Sequence, residues 1–205
     1  MGDWSTYSLS DFLMFSPRTY WRMIELYQRA VWPGQLLALG AGLGCLVIAL
    51  RPTPRSRRVA WVLLSVSWLW VGWAFHAQRY ATINWAASYF AVAFALQAML
   101  LGALAWHCTA QNPPPRGTAS TIPATVGWLL AAVAVLLFPL VGLAVGRPLV
   151  QSDLFGMTPE PTALATLGLL PALGRGLPAH WLWAAAGVPA LSLAIGTATL
   201  WTMGQ

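Results

Sequence analysis

The chain has 205 residues, of which 58% are hydrophobic and only 8% charged, and its mean hydropathy is +0.63. A soluble domain carries roughly 25% charged residues, so this chain has too few to coat a globule with a solvated surface. A net charge of +6 in arginine-bearing short segments between apolar runs fits positive-inside membrane topology rather than nucleic-acid binding.

Every basic residue besides histidine is arginine. Without a lysine amine neither a retinal nor a pyridoxal Schiff base forms, which excludes a retinal pump. The two cysteines, Cys45 and Cys108, fall at different depths of the expected layout, so no disulfide is expected. No CxxC motif is present, and the first 30 residues lack the pattern of a cleavable signal peptide.

Ser16-Pro17 reads as a helix start, with serine as N-cap and proline at the first helical position. From there Arg18, Arg22, Glu25 and Arg29 share one face, and Tyr20, Ile24, Tyr27 and Val31 the opposite one. The spacing predicts an amphipathic interfacial helix of about 14 residues, too charged to span. Glu25 and Arg29 stand at the favourable i,i+4 spacing. Trp32-Pro33-Gly34 ends it. Residues 1–34 therefore form an N-terminal segment, and residues 35–205 a transmembrane helical bundle.

A crossing helix needs about 20 apolar residues. Runs at 35–50, 59–75, 86–106, 124–145 and 181–203 meet that requirement or approach it. A further run at 162–173 is short and holds Pro171; extended to Met157 it reaches spanning length with Glu160 in its first turn. It reads as a tilted or broken span, with a re-entrant hairpin as the alternative. The expected fold is all-α: a polytopic membrane bundle of about six transmembrane helices.

With six spans, all five carboxylates (Asp3, Asp11, Glu25, Asp153, Glu160) fall on one side. The cluster Arg51, Arg55, Arg57 and Arg58 falls on the other, which predicts both termini outside. In a bacterium this is the inner membrane. Trp68 is expected deep in the bundle, as a packing residue.

Two polar runs leave the membrane on the outer side. The first carries His76, Arg79, Tyr80 and Asn84. His76 stands at the exit, where it could titrate, ligate a metal or donate to a ligand; a belt or capping role is the plainer reading. The second carries Asp153, Thr158 and Glu160, where a helix start explains Glu160 structurally and also makes a site for a polar ligand. Arg22 and Glu25 stand ready to cover this mouth or to pair with Asp153, Glu160 or Arg79. No carboxylate or arginine is expected at the bilayer centre, which argues against a proton relay. Gln97 is the main polar group there, suited to an interhelical hydrogen bond. Haem is disfavoured, because only His107 and His180 match in depth and both lie at loop edges. No cofactor is expected. Gly40 and Gly44 form a GxxxG suited to close helix packing, including a homo-oligomer.

Tyr27-Gln-Arg-Ala-Val-Trp32-Pro33, the stretch from Phe75-His76 to Ile83-Asn84, and Thr158-Pro-Glu-Pro-Thr162 running into Leu167-Gly-Leu-Leu resemble an uncharacterised family of bacterial multi-pass membrane proteins, known only as a domain of unknown function. That resemblance implies no activity. The residues lead to a small-solute transporter or channel with a polar site at the outer face. The alternatives are a non-catalytic subunit or anchor of a larger membrane complex and, more remotely, an enzyme acting on lipid or quinone.

Overall fold

Ser16 opens the first helix as its spacing predicts: its hydroxyl accepts from the Thr19 amide at 3.2 Å, and Pro17 begins the helix. The computed structural model describes residues 15–107 and 123–203. Helix α1 (Pro17–Ala30) buries Tyr20, Ile24 and Tyr27 and leaves Arg18, Arg22 and Arg29 outward. At Trp32-Pro33 the chain turns 90° into α2 (Gly34–Leu50). Asp3, Asp11 and Cys108 lie outside the described residues.

Helix α3 (Pro54–Trp70) starts four residues earlier than the end of the arginine cluster, because Thr53 and Ser56 form a capping box. It runs on as a π-helical stretch, Val71–Ala77, and a turn leads into α4 (Ala87–His107). Helix α5 (Ala124–Ala144) also loosens to π geometry at Val133–Leu137, just before Pro139. The proline ring and its missing N–H forbid the regular bond there. Helices α6 (Pro159–Leu173) and α7 (Ala179–Thr202) complete the order. No strand occurs among the described residues.

Four of these helices are long and apolar enough to cross a membrane: α3 with its π extension, α4, α5 and α7. The bent α1–α2 pair makes a fifth if it counts as one span. The expected number was about six. The difference lies in α6, whose 15 residues extend only about 22 Å.

Helix α6 is the axis of the bundle. Twelve of its residues are buried, and it packs on α2, α3, α5 and α7. It is one continuous helix, with no reversal within it, and Pro171 falls in its last turn, where little helix remains to be disrupted. Gly127 and Gly168 face each other where α5 meets α6; a Cβ on Gly168 would stand 2.7 Å from the Ala131 nitrogen. Small residues permit this close backbone approach, as in membrane helix pairs generally.

Polar side chains tie the helices together. Trp68 Nε1 donates to Thr166 Oγ1 at 2.9 Å, Trp128 Nε1 to the Leu46 carbonyl at 2.9 Å, and Gln97 Nε2 to the Ala185 carbonyl at 2.9 Å. Trp68 is fully buried.

The two ends of the bundle differ in charge. At one end Arg57 donates to the Leu173 carbonyl at 2.8 Å, covering the C-terminus of α6, and Arg58 lies over the Trp106 ring. At the other end stand all three described carboxylates, Glu25, Asp153 and Glu160: Gln151 reaches Glu25, and Asp153 and Glu160 interact electrostatically.

Candidate functional site

The carboxylate end is assembled from six segments. The π stretch of α3 widens the helix at its end and turns His76 inward; such stretches recur at functional sites. The His76 ring packs at 4.5 Å from Phe94 and 5.7 Å from Phe90, both on α4. The following turn folds Tyr80 back to 6.0 Å from His76. Helix α1 closes the top with Tyr20, edge-on to Tyr80 at 5.9 Å. The N-terminus of α6 contributes Glu160, and α7 contributes Ser192, Gly196 and Thr199.

These residues enclose a cavity of about 60 Å³ with predominantly apolar walls. His76 is 4% exposed, and neither ring nitrogen has a hydrogen-bond partner. Glu160 Oε2 is likewise buried without a partner. The rest of that carboxylate lies against Gly196, the position on α7 where any side chain would collide with it. Unsatisfied buried polar atoms are uncommon in folded proteins, because each carries a desolvation cost. Two such groups lining one cavity make it the candidate binding site.

The remaining expected site residues divide. Arg22, Glu25 and Arg79 line a second, open groove of about 940 Å³ on the far face of α1. Glu25 there pairs with Arg22 at 2.9 Å and Arg29 at 3.1 Å, and Gln151 donates to it at 3.4 Å. Desolvation opposes ionisation, but the hydrogen bonds from Arg22 and Gln151 outweigh it and hold the Glu25 carboxyl below its usual range. The expected pairing of this stripe with Asp153, Glu160 or Arg79 does not occur. The partner within one helical turn is simply nearer.

Asn84 and Thr158 hold backbone rather than facing the cavity. Asn84 Oδ1 accepts from the Ala86 amide at 3.0 Å at the start of α4. Thr158 Oγ1 accepts from the Leu154 amide at 3.0 Å, and Thr162 Oγ1 from the Gly156 amide at 2.8 Å. Gly156 has φ +71° with Ala38 close by, a conformation and a space that suit glycine.

Asp153 lines neither cavity nor groove; it is 9% exposed, with Oδ1 unpartnered. Burial raises its carboxyl pKa to about 6, against the lowering effect of Arg147 and Thr158. The Arg147 guanidinium stacks 3.6 Å over the Trp21 ring. Sequence reasoning missed Arg147, because nothing in a loop of one glycine and one proline marks a cation that folds back. It read Tyr20 as packing, and it had no signal for Phe90, Phe94 or Gly196 beyond their place in apolar runs.

Among the described residues no group of three or more histidine, cysteine or acidic side chains could hold a metal ion. His107 and His180, the pair matched in depth, both pack against Trp181, at 5.8 and 5.6 Å.

The fold and site define a class: among the described residues, an all-helical bundle with helices long and apolar enough to cross a membrane and an aromatic cavity lined by an acid side chain at its acidic end. The chain belongs to a family of unknown function, DUF6064, whose model matches residues 18–200. No curated protein and no solved structure matches it.

Proposed function

We propose that the protein carries or conducts a small solute across a bacterial inner membrane, with the cavity end and both termini on the outer face. The observation that carries this reading is the pairing of Glu160 and His76, two buried polar groups without partners, around one cavity in a bundle otherwise almost free of charge. A structural role would leave such groups hydrogen-bonded. In the six-crossing arrangement, α6 is a short span shielded by its neighbours, which suits a helix whose N-terminus opens onto a ligand cavity.

Proteoliposomes provide the test. Small neutral, anionic and cationic solutes are presented in turn and flux is followed by light scattering. At least one class should cross faster than through protein-free vesicles, and His76→Ala and Glu160→Gln should suppress that flux. Flux indifferent to both substitutions would end the proposal.

One observation favours a second reading, a subunit of a larger assembly. Only 11% of the most apolar window of α7 is buried, and a Cβ on Gly187 or on Gly40 would meet open space. Gly44 instead packs against Leu63 within the chain, so Gly40 alone of the GxxxG pair is free for a partner. The mass of the particle purified in mild detergent decides between them: co-purifying chains support the subunit reading, and a lone chain or homo-oligomer supports transport.

A further inference from the structure

We infer that the ligand of the cavity is a small alkylated ammonium ion, held with its charge at Glu160 and its alkyl groups against the surrounding aromatic rings; this takes the cavity to be the solute site proposed above. The argument begins with charge. Of the three described carboxylates, Glu25 is occupied by Arg22 and Arg29, whereas Asp153 feels the charge of Arg147 without pairing with it and does not line the cavity. Glu160 forms no ion pair in the structure, and its Oε2 is buried without a hydrogen-bond partner. A carboxyl buried without a partner keeps its proton, and an incoming cation can displace that proton to solvent and pair with the carboxylate, which an anion cannot do.

The walls narrow the kind of cation. Tyr20, Tyr80, Phe90 and Phe94 line the same space, with the His76 ring among them. Aromatic faces attract a positive charge within about 6 Å of the ring centroid, and a ring cage is the usual receptor for alkylated ammonium groups. A hydrated metal ion is a poor fit, because no set of three ligating side chains is present among the described residues. A neutral polyol is equally poor, since few polar atoms face the cavity.

Size gives an independent constraint. One water needs about 10–15 Å³ of this measure of volume, so a cavity of about 60 Å³ accepts roughly five heavy atoms. Tetramethylammonium has that size and charge. The unpartnered nitrogens of His76 add an acceptor for an N–H of a less alkylated amine.

The experiment titrates the full chain, in detergent micelles, with tetramethylammonium chloride, with 2-methylpropan-2-ol, its neutral counterpart of equal heavy-atom count, and with sodium acetate, read by calorimetry. The expected result is saturable binding of tetramethylammonium, at least tenfold tighter than of the neutral alcohol, and none of acetate. Glu160→Gln should abolish the preference for charge. Phe94→Leu, which retains volume, should weaken tetramethylammonium more than the alcohol. Equal affinity for the charged and neutral compounds, or no saturable binding of tetramethylammonium to the unaltered protein, overturns the inference without reference to any variant's folding. The flux assay separates the two proposals. Tetramethylammonium binding without flux of any solute keeps the cation site and removes transport. Flux of neutral or anionic solutes that depends on His76, without tetramethylammonium binding, keeps transport and removes the cation site.

Discussion

Two glutamates at the same end of this bundle live in opposite circumstances. Glu25, on the open face of α1, is held by Arg22 and Arg29 and touched by Gln151. Glu160, on the first turn of α6, has its Oε2 buried with no partner and the rest of its carboxylate pressed toward Gly196. Exposed ion pairs contribute little to stability, and their partners are interchangeable with water. An acid side chain kept from both water and cations is a desolvation cost that the fold carries without structural return. The difference separates a surface helix from a binding site, although both residues are acids next to aromatic segments.

The largest test of this contrast uses the third acid at this end of the bundle. Asp153 has a folded-state pKa of about 6, raised from its ordinary value of 3.8 chiefly by burial, with Arg147 opposing. The folded protein thus holds this proton more tightly than the unfolded chain. The stability so gained is full below pH 4 and is lost as pH rises through 6, by an amount on the order of 1–3 kcal/mol that Asp153 shares with its electrostatic neighbour Glu160. Thermal unfolding in detergent should show the midpoint falling across that window, and Asp153→Asn should flatten the fall. A profile that Asp153→Asn leaves unchanged would move Asp153 to the solvated side with Glu25.

Next in size is Gly196→Val on α7. Its side chain would occupy the place of the Glu160 carboxylate. Binding of tetramethylammonium should weaken tenfold or more, about 1.4 kcal/mol, while the helical content measured by circular dichroism stays constant. Unaltered binding would show that Glu160 does not face the cavity contents.

Trp21→Leu removes the ring beneath Arg147. Trp21 is buried, and a cation–π contact there contributes about 0.5–2 kcal/mol, so the unfolding midpoint should fall accordingly. Glu25→Gln should have the smallest effect. Surface pairs are worth tenths of a kcal/mol, so its midpoint should shift by a degree or so, less in high salt, and tetramethylammonium binding should not change. A large loss of binding in Glu25→Gln would erase the distinction between groove and cavity.

Much of this architecture was legible in the chain. Apolar runs predicted at 35–50, 86–106 and 124–145 became helices Gly34–Leu50, Ala87–His107 and Ala124–Ala144. Ser16-Pro17 and Trp32-Pro33 bounded α1 through local capping and ring chemistry, which need no tertiary contact. The gathering of Glu25, Asp153 and Glu160 at one end followed from counting runs between them. Less legible was α6. Its length and Pro171 marked it as irregular, but not that it becomes the buried axis, because burial depends on which faces the other helices present.

The site was partly legible for the same reason. His76, Tyr80 and Glu160 stood out as polar residues at helix ends, and all three line the cavity. Arg22, Glu25 and Arg79 stood out equally and line the groove instead. Sequence distance along α1 cannot separate them, since Tyr20 and Arg22 are two residues apart on opposite faces.

Composition and periodicity alone determined an apolar helical bundle, several of its helix boundaries and the segregation of acids from the arginine cluster. These follow from local propensity and from the length a helix needs in hydrocarbon, and both are properties of contiguous residues. Only the tertiary structure decided which acid is satisfied and which is left without a partner. That outcome depends on residues distant in the chain: Phe94 on α4, Gly196 on α7 and Tyr20 on α1 close around Glu160, while Glu25 finds its cations within its own helix.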